Sequence, residues 1–337
     1  MVSPPLFIVN YKKVDNRGIA VTNKEAVLHA LAHGRDGYIS GAELARALSI
    51  SRAAVWKGVE RLRDEGHLIE GKPKIGYRLI SMTPLFDRER LQRALAGWDV
   101  QLFDTIDSTN RYAKSLESEK AVVIALAQSA GRGRRGRSFY SPRGGLYLSL
   151  RFPLSFALEE AMLLTSMASV AVHRSLWEVA GVDCSIKWVN DLYLGGKKLC
   201  GILTEGVVGL ESGQLSSVVV GIGINLFTAL GEELERTAVS LYESEDAALS
   251  SLDANDLVIK IVSHMSALIS ALPDRSYLEY YRAHSLLDGR DVVVHQAGGQ
   301  FEAHVIGIDD DAHLVVEDRE GRVHTLSSAE ITIRLAR

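Results

Sequence analysis

AVVIALAQSAGRGRRGRSFYSPRGGLYLSLRF, residues 121–152, carries the decision about the fold. Its first eight residues, Ala121 to Gln128, form an apolar, β-branched run, and Leu146 to Phe152 form a second one. Runs of this length bounded by Gly and Ser read as buried strands. Between them stands Gly131-Arg-Gly-Arg-Arg-Gly136-Arg137, four arginines and three glycines in seven residues. Glycine lets a backbone approach an anion closely, and the arginines supply positive charge. No Gly-Lys-Ser/Thr follows, so this is not a Walker A loop. A nucleic-acid-binding tract or a solvated linker is the plain alternative. A small phosphate ligand is favoured, because the loop joins two strands and the surrounding body is acidic.

Upstream, a short helix is expected from Phe86 to Ala96, and Gln101 to Asp107 reads as a strand. Ser108-Thr109-Asn110 follows, where Ser108 or Thr109 can cap a helix from Arg111 to Leu116. Downstream, Ala161 to Val179 has the composition of a central core helix. Ser185 to Leu194 reads as one strand, on which Lys187 and Asp191 are four apart and project to the same side as a neutralised pair. A Gly195-Gly196 turn leads into Lys197 to Glu205, with Lys198 just past the turn. Val218 to Asn225 is a further strand, whose glycines leave room for a ligand against the sheet. Beyond His284, short strands at Asp291–His295, Phe301–Ile308, Leu314–Glu317 and Val323–Leu326 suggest a small β-barrel.

The front of the chain differs in charge. Residues 1–80 hold 13 Lys and Arg against 8 Asp and Glu, a balance of +5, so the remainder carries −9 of the total −4. Any nucleic-acid contact is therefore expected from the front alone. Residues 24–33 read as an amphipathic helix. Ser40 and Glu43 fit a capping box opening a second helix, and Ser51 caps a third that turns Val55, Val59 and Leu62 inward. Ser51, Arg52, Ala53, Trp56 and Lys57 then lie on the outer side, with Glu60 and Arg63. Two strand-like segments, 67–70 and 77–80, flank a basic turn with Lys72 and Lys74. This is the pattern of a winged helix-turn-helix, with Ser40 and the third helix facing DNA and the turn lysines meeting phosphates. A three-helix bundle used for protein contacts is the alternative.

At 337 residues, 47% hydrophobic and 24% charged, the chain has material for two or three globular domains, not a disordered or collagen-like polymer. No apolar stretch approaches the roughly 18 residues of a membrane span. No secretory signal is visible, so a cytoplasmic protein is expected. Cys184 and Cys200 cannot build a disulfide framework and lack zinc-ligand spacing, so both read as small core residues.

In order, DSTN at 107–110, GRGRRG at 131–136, LYLS at 146–149, KWVNDL at 187–192, KKLCGIL at 197–203 and GIGIN at 221–225 follow a helix-turn-helix reading SRAAVWK at 51–57. Together they resemble the biotin protein ligases of the bifunctional kind that also repress a biotin operon, over residues 24–335. The resemblance implies an α/β (α+β) chain in three parts: a winged helix-turn-helix at 23–80, a class II synthetase-like mixed-sheet ligase domain at 85–282, and an SH3-like β-barrel at 283–337. Residues 1–22 have no counterpart; a disordered arm or a start codon placed too early would each account for them.

The implied activity is that of a biotin–[acetyl-CoA-carboxylase] ligase. Biotin and ATP give biotinyl-5'-AMP, and a lysine of a biotin carboxyl carrier domain takes the biotin. By resemblance, Lys198, Arg132 and Asp191 are catalytic. Ser108, Thr109, Asn110, Gln128, Arg132, Gly133, Arg134 and Lys198 hold biotin, while Arg132, Arg134, Arg135, Lys187, Asn190 and Asn225 hold ATP and its phosphates. Mg2+ enters with ATP, with no fixed protein metal site. Operator DNA and a homodimer of the adenylate-bound form are the other implied partners. Val189 departs from the proline usual in KWPND, which is expected to relax the backbone there. A ligand-sensing regulator without catalysis and a lipoate-type ligase are the competing readings.

Overall fold

A computed structural model describes residues 22–32, 37–64, 67–81, 86–154, 160, 163–208, 215–244, 247–248, 252–296 and 299–333. The expected N-terminal arm lies outside these except for Thr22, as do residues 82–85 between the winged helix-turn-helix and the ligase part. The chain divides into two compact units, Met1–Asp87 and Arg88–Arg337, so the C-terminal strands fall in the second unit with the ligase part. No described helix is long and apolar enough to cross a membrane.

In the first unit, helices α1 (Asn23–Ala32), α2 (Gly41–Leu48) and α3 (Arg52–Asp64) precede an antiparallel hairpin of β1 (Leu68–Lys72) and β2 (Gly76–Ser81). Both halves of the Ser40/Glu43 capping box form, and the Ser51 hydroxyl accepts from the Ala54 amide at 3.1 Å. Val27, Leu31, Leu44, Val55, Val59, Leu62 and Ile69 form one core. Each large aliphatic side chain buried there contributes about 1.5–3 kcal/mol. Ile39 exchanges two backbone hydrogen bonds with Tyr77 and so ties the helices to the hairpin. Arg52, Ala53, Trp56 and Lys57 are left exposed on α3. Contrary to expectation, Lys72 is not in the turn but ends β1 and ion-pairs with Glu70 at 3.5 Å, whereas Lys74 alone of the two lies in the turn.

The second unit is built on a seven-stranded mixed sheet in the order β3-β4-β5-β9-β8-β7-β6. Its strands are β3 (Asp99–Ile106), β4 (Ala121–Gln128), β5 (Gly145–Pro153), β6 (Ser185–Lys187), β7 (Asp191–Leu194), β8 (Lys197–Val208) and β9 (Leu215–Asn225). Only β3 and β4 pair in parallel; the other neighbours are antiparallel. Short α4 (Arg88–Ala94) precedes β3. Helix α5 (Thr109–Ser115) covers one face, where Ala113, Val123 and Val219 are fully buried together. Helix α6 (Leu164–Ala180) serves the opposite face, with Thr165 and Thr204 hydroxyls 2.8 Å apart, and α7 (Ala254–Ala271) packs against it. This accounts for the unbroken apolar reading of β4, whose first six residues are buried.

The segment 185–194 is not one strand. Residues 188–190 make a turn between β6 and β7, placing Lys187 opposite Asp191 in antiparallel register. The Trp188–Val189 peptide is cis. After α8 (Tyr277–Ala283), five strands complete the chain: β10 (Asp291–Gln296), β11 (Gly299–Ile308), β12 (Leu314–Asp318), β13 (Val323–Leu326) and β14 (Glu330–Ile333). They form an antiparallel sheet in the order β13-β12-β11-β10-β14, the coarser form of the expected barrel. Cys184 and Cys200 are buried and unpaired with each other.

Candidate active site

One cavity of about 640 Å³ opens on the α5 face of the large sheet. Its floor follows from the alternation of side chains along antiparallel strands: Gly201 lies opposite Gly223, and Leu203 opposite Gly221. A Cβ on Gly221 would meet Asn110 Oδ1 at 2.2 Å, and one on Gly223 would meet the Phe139 ring at 2.6 Å. The space that these glycines leave, expected to serve a ligand, is thus taken first by Asn110 and Phe139.

The DSTN turn is locked by its own polar groups. Ser108 caps α5, and the backbone amide and hydroxyl of Thr109 both donate to Gln128 Oε1, at 2.8 and 3.1 Å. Ser149 Oγ lies 2.8 Å from Thr109 Oγ1 and 2.6 Å from Asn110 Oδ1. Asn110 Nδ2 donates to Glu205 at 2.9 Å, and Glu205 also pairs with Lys114 at 2.6 Å and Arg132 at 3.5 Å. Burial alone would raise the Glu205 pKa, but these donors outweigh it and hold it below the ordinary value.

The arginine loop lies across the mouth. Gly133 donates to the Arg137 carbonyl at 2.7 Å, and Arg135 takes a left-handed conformation (φ 55°) that sends the chain back on itself. Arg134 donates to Asn190 Oδ1 at 3.0 Å and to Ser328 at 3.3 Å, and Arg137 pairs with Glu330 at 2.5 Å. Asn190 in turn donates from Nδ2 to the Ile202 carbonyl at 2.9 Å, so it bridges loop and sheet.

Lys198 Nζ lies 2.7 Å from Asp191 Oδ1, an ion pair whose angles are poor for a hydrogen bond. The partner of Asp191 is therefore Lys198, not the expected Lys187. Lys187 Nζ stands 5.3 Å from the centroid of the Tyr193 ring. Burial lowers the pKa of both Lys187 and Arg134; Asp191 opposes the shift at each.

The cavity gathers Ser108, Thr109, Asn110, Gln128, Arg132, Gly133, Arg134, Arg135, Lys187, Asn190, Asp191 and Lys198. Asn225 is the exception: it is outside the lining and donates to the Val239 carbonyl at 3.3 Å. Phe139, Glu205, Ser328 and Glu330 were missed. Glu205 was detectable, since positions 201, 203 and 205 share one strand face. Ser328, 194 residues from Arg134, carried no local signal.

A cavity that sets five arginines and two lysines beside a hydrogen-bonded polar pocket defines an anion-handling site, and a helix-turn-helix unit stands ahead of it in the chain. Residues 102–225 match the Biotin/lipoate A/B protein ligase family, and residues 23–78 match the HTH domain. The chain is 31% identical over 332 residues to the bifunctional ligase/repressor BirA of Bacillus subtilis, covering 93% of this chain and 99% of that protein. It is 33% identical over 319 residues to the protein of that description from Salmonella typhimurium, covering 92% and 97%. The biotin protein ligase from Aquifex aeolicus in complex with biotin and ATP superposes with a TM-score of 0.59 at 25% identity, over 71% of this chain and 99% of that one. The chain belongs to the biotin protein ligase family, in its bifunctional form with a helix-turn-helix DNA-binding domain.

Proposed function

We propose that this ligase joins biotin to AMP and then to a lysine of a carboxylase's carrier domain, and that its winged helix binds operator DNA when the adenylate is present. The observation that carries this reading is the convergence of the Arg132/Arg134 loop, Lys198 and the Asn110–Gln128 polar cluster on one cavity.

Biotin occupies the cavity beside Asn110 and Phe139, which fill the space over the glycines, its ureido ring held by the polar cluster of Ser108, Thr109, Asn110 and Gln128. Its carboxylate attacks the α-phosphorus of ATP, the bond to the pyrophosphate oxygen breaks, and pyrophosphate leaves. No enzyme nucleophile is needed. The rate gain comes from holding the reactants in line and from cations that meet the charge growing on the phosphoryl oxygens. Lys198, Arg132 and Arg134 supply those cations, and Arg135 and Lys187 hold the outer phosphates. Lys198 exchanges Asp191 for the incoming anion, which leaves the Asp191 carboxylate to orient the attacking amine. That amine attacks the acyl carbon, AMP departs, and the amine's extra proton passes to solvent. Magnesium accompanies ATP. The reaction is placed in the cytoplasm, with the adenylate-bound chain acting on DNA as a dimer through Ser51, Arg52, Ala53, Trp56, Lys57 and Lys74. Ser40 and Lys72 serve the same unit as a helix cap and a strand-end ion pair.

The test is Lys198→Ala in a pyrophosphate-release assay with biotin and ATP. The expected result is loss of adenylate formation with an unchanged circular dichroism spectrum. Full activity would remove Lys198 from the chemistry.

A further inference from the structure

Glu205 stands on β8 opposite Val219, on the face of the sheet that α5 covers. Its side chain is 17% exposed, so its charge has to be met by protein donors. Oε2 accepts from Asn110 Nδ2 at 2.9 Å, while Oε1 pairs with Lys114 at 2.6 Å and Arg132 at 3.5 Å. One carboxylate thus joins the arginine loop, helix α5 and the polar cluster.

That carboxylate decides which way the Asn110 amide points. Glu205 and the Leu203 carbonyl, 3.3 Å from the amide, can only accept, so the Asn110 atom facing them is the nitrogen. Both hydrogens of this nitrogen are then spent on protein acceptors. Oδ1 faces Ser149, whose hydroxyl donates to it at 2.6 Å and leaves it one lone pair. Asn110 lines the cavity and so offers a ligand an acceptor and no donor. The N–H groups of a cyclic urea suit that polarity; a dithiolane ring has none.

A neutral amide at position 205 cannot do the same work. With its oxygen turned to Lys114 and Arg132, its NH2 group would oppose Asn110 Nδ2; turned the other way, it would oppose both cations. The donors around Glu205 hold its pKa below the ordinary value of 4.5, so the ionised form is the one present at neutral pH. We propose that Glu205 is a positioning residue of the biotin pocket, fixing the Asn110 amide with its oxygen toward the ureido N–H of the ligand. This deepens the biotin reading of the site and rests on it. Glu205 acts through Asn110 and touches no substrate.

The experiment is calorimetric titration of the full-length protein with biotin in the absence of ATP. Glu205→Gln is expected to raise Kd by about tenfold, the worth of roughly one hydrogen bond. Asn110→Asp, which sets two carboxylates against each other, should weaken binding at least as much. In the double variant Asn110→Asp/Glu205→Gln the new amide donates to the new carboxylate and still turns its oxygen to Lys114 and Arg132. It should bind biotin more tightly than either single variant, a recovery that a role in packing alone does not produce. Lys114→Gln, which changes the local charge without touching the Asn110 contact, should leave Kd within about twofold. A double variant no tighter than the singles overturns the proposal, as does a Lys114→Gln loss equal to that of Glu205→Gln. Unchanged affinity in Asn110→Asp overturns it even if Glu205→Gln fails to fold. Unaltered protein that does not bind biotin overturns the biotin reading and this inference with it, whereas binding that Glu205→Gln leaves unchanged overturns the inference alone.

Discussion

Asn110 stands in the sequence at a helix start, and its side chain reaches the floor of the sheet, where Gly221 gives it space. Gly221→Ala places a methyl 2.2 Å from Asn110 Oδ1 and so forces Asn110 away from Ser149 and Glu205. Overpacking of this kind costs about 1–3 kcal/mol. The expected outcome is a raised KM for biotin with a lowered denaturation midpoint; an unchanged KM would separate Asn110 from biotin binding. Lys187 supports a second prediction at this scale. Burial lowers its pKa from the ordinary lysine value of 10.5, with Asp191 partly opposing the shift. Its charge is therefore lost, as pH rises, earlier than that of a free lysine. The pH profile of kcat/KM for ATP should carry a basic limb that Lys187→Arg removes, because arginine stays charged. Persistence of the limb in that variant would assign it to another group. Caps such as Ser40 and Ser108 were legible because their partners lie three residues away. The Lys187–Asp191 pairing was misread because a spacing of four fits one continuous strand and a tight antiparallel turn equally well.

At the scale of elements, β4, β5 and the arginine loop between them stand where the apolar runs and the glycines placed them, within one residue at each strand end. In the wing hairpin β1 runs two residues and β2 one residue into the expected turn, which moved Lys72 into a strand and left Lys74 at the tip. The exposed residues of α3 and that turn lysine frame a prediction about DNA. Arg52→Ala, Lys57→Ala and Lys74→Ala should each weaken binding and reduce the slope of log K against log salt by about one for every phosphate left without its cation. Measurement by fluorescence anisotropy at several salt concentrations checks this, and unchanged slopes would move the DNA face elsewhere on the unit.

For the whole molecule, the C-terminal sheet was legible as a set of short strands, but its part in the site was not. Residues 329–333 line the cavity, Ser328 and Glu330 hold Arg134 and Arg137, and Trp188 donates to the Ala312 carbonyl at 2.8 Å. Such interactions join positions far apart in the chain, and no local pattern of hydrophobicity or charge encodes them. The charge difference between residues 1–80 and the rest marks off the front of the chain, and the two compact units divide at residue 87.

Joint action of the arginine loop, Lys198 and the polar cluster on biotin and ATP underlies the proposed reaction. Mass spectrometry of a biotin carboxyl carrier domain, incubated with the full-length protein, ATP, magnesium and either biotin or lipoate, tests it most directly. The carrier is expected to gain one biotinyl group and no lipoyl group. A carrier that stays unmodified with biotin, or that takes up lipoate instead, would contradict it.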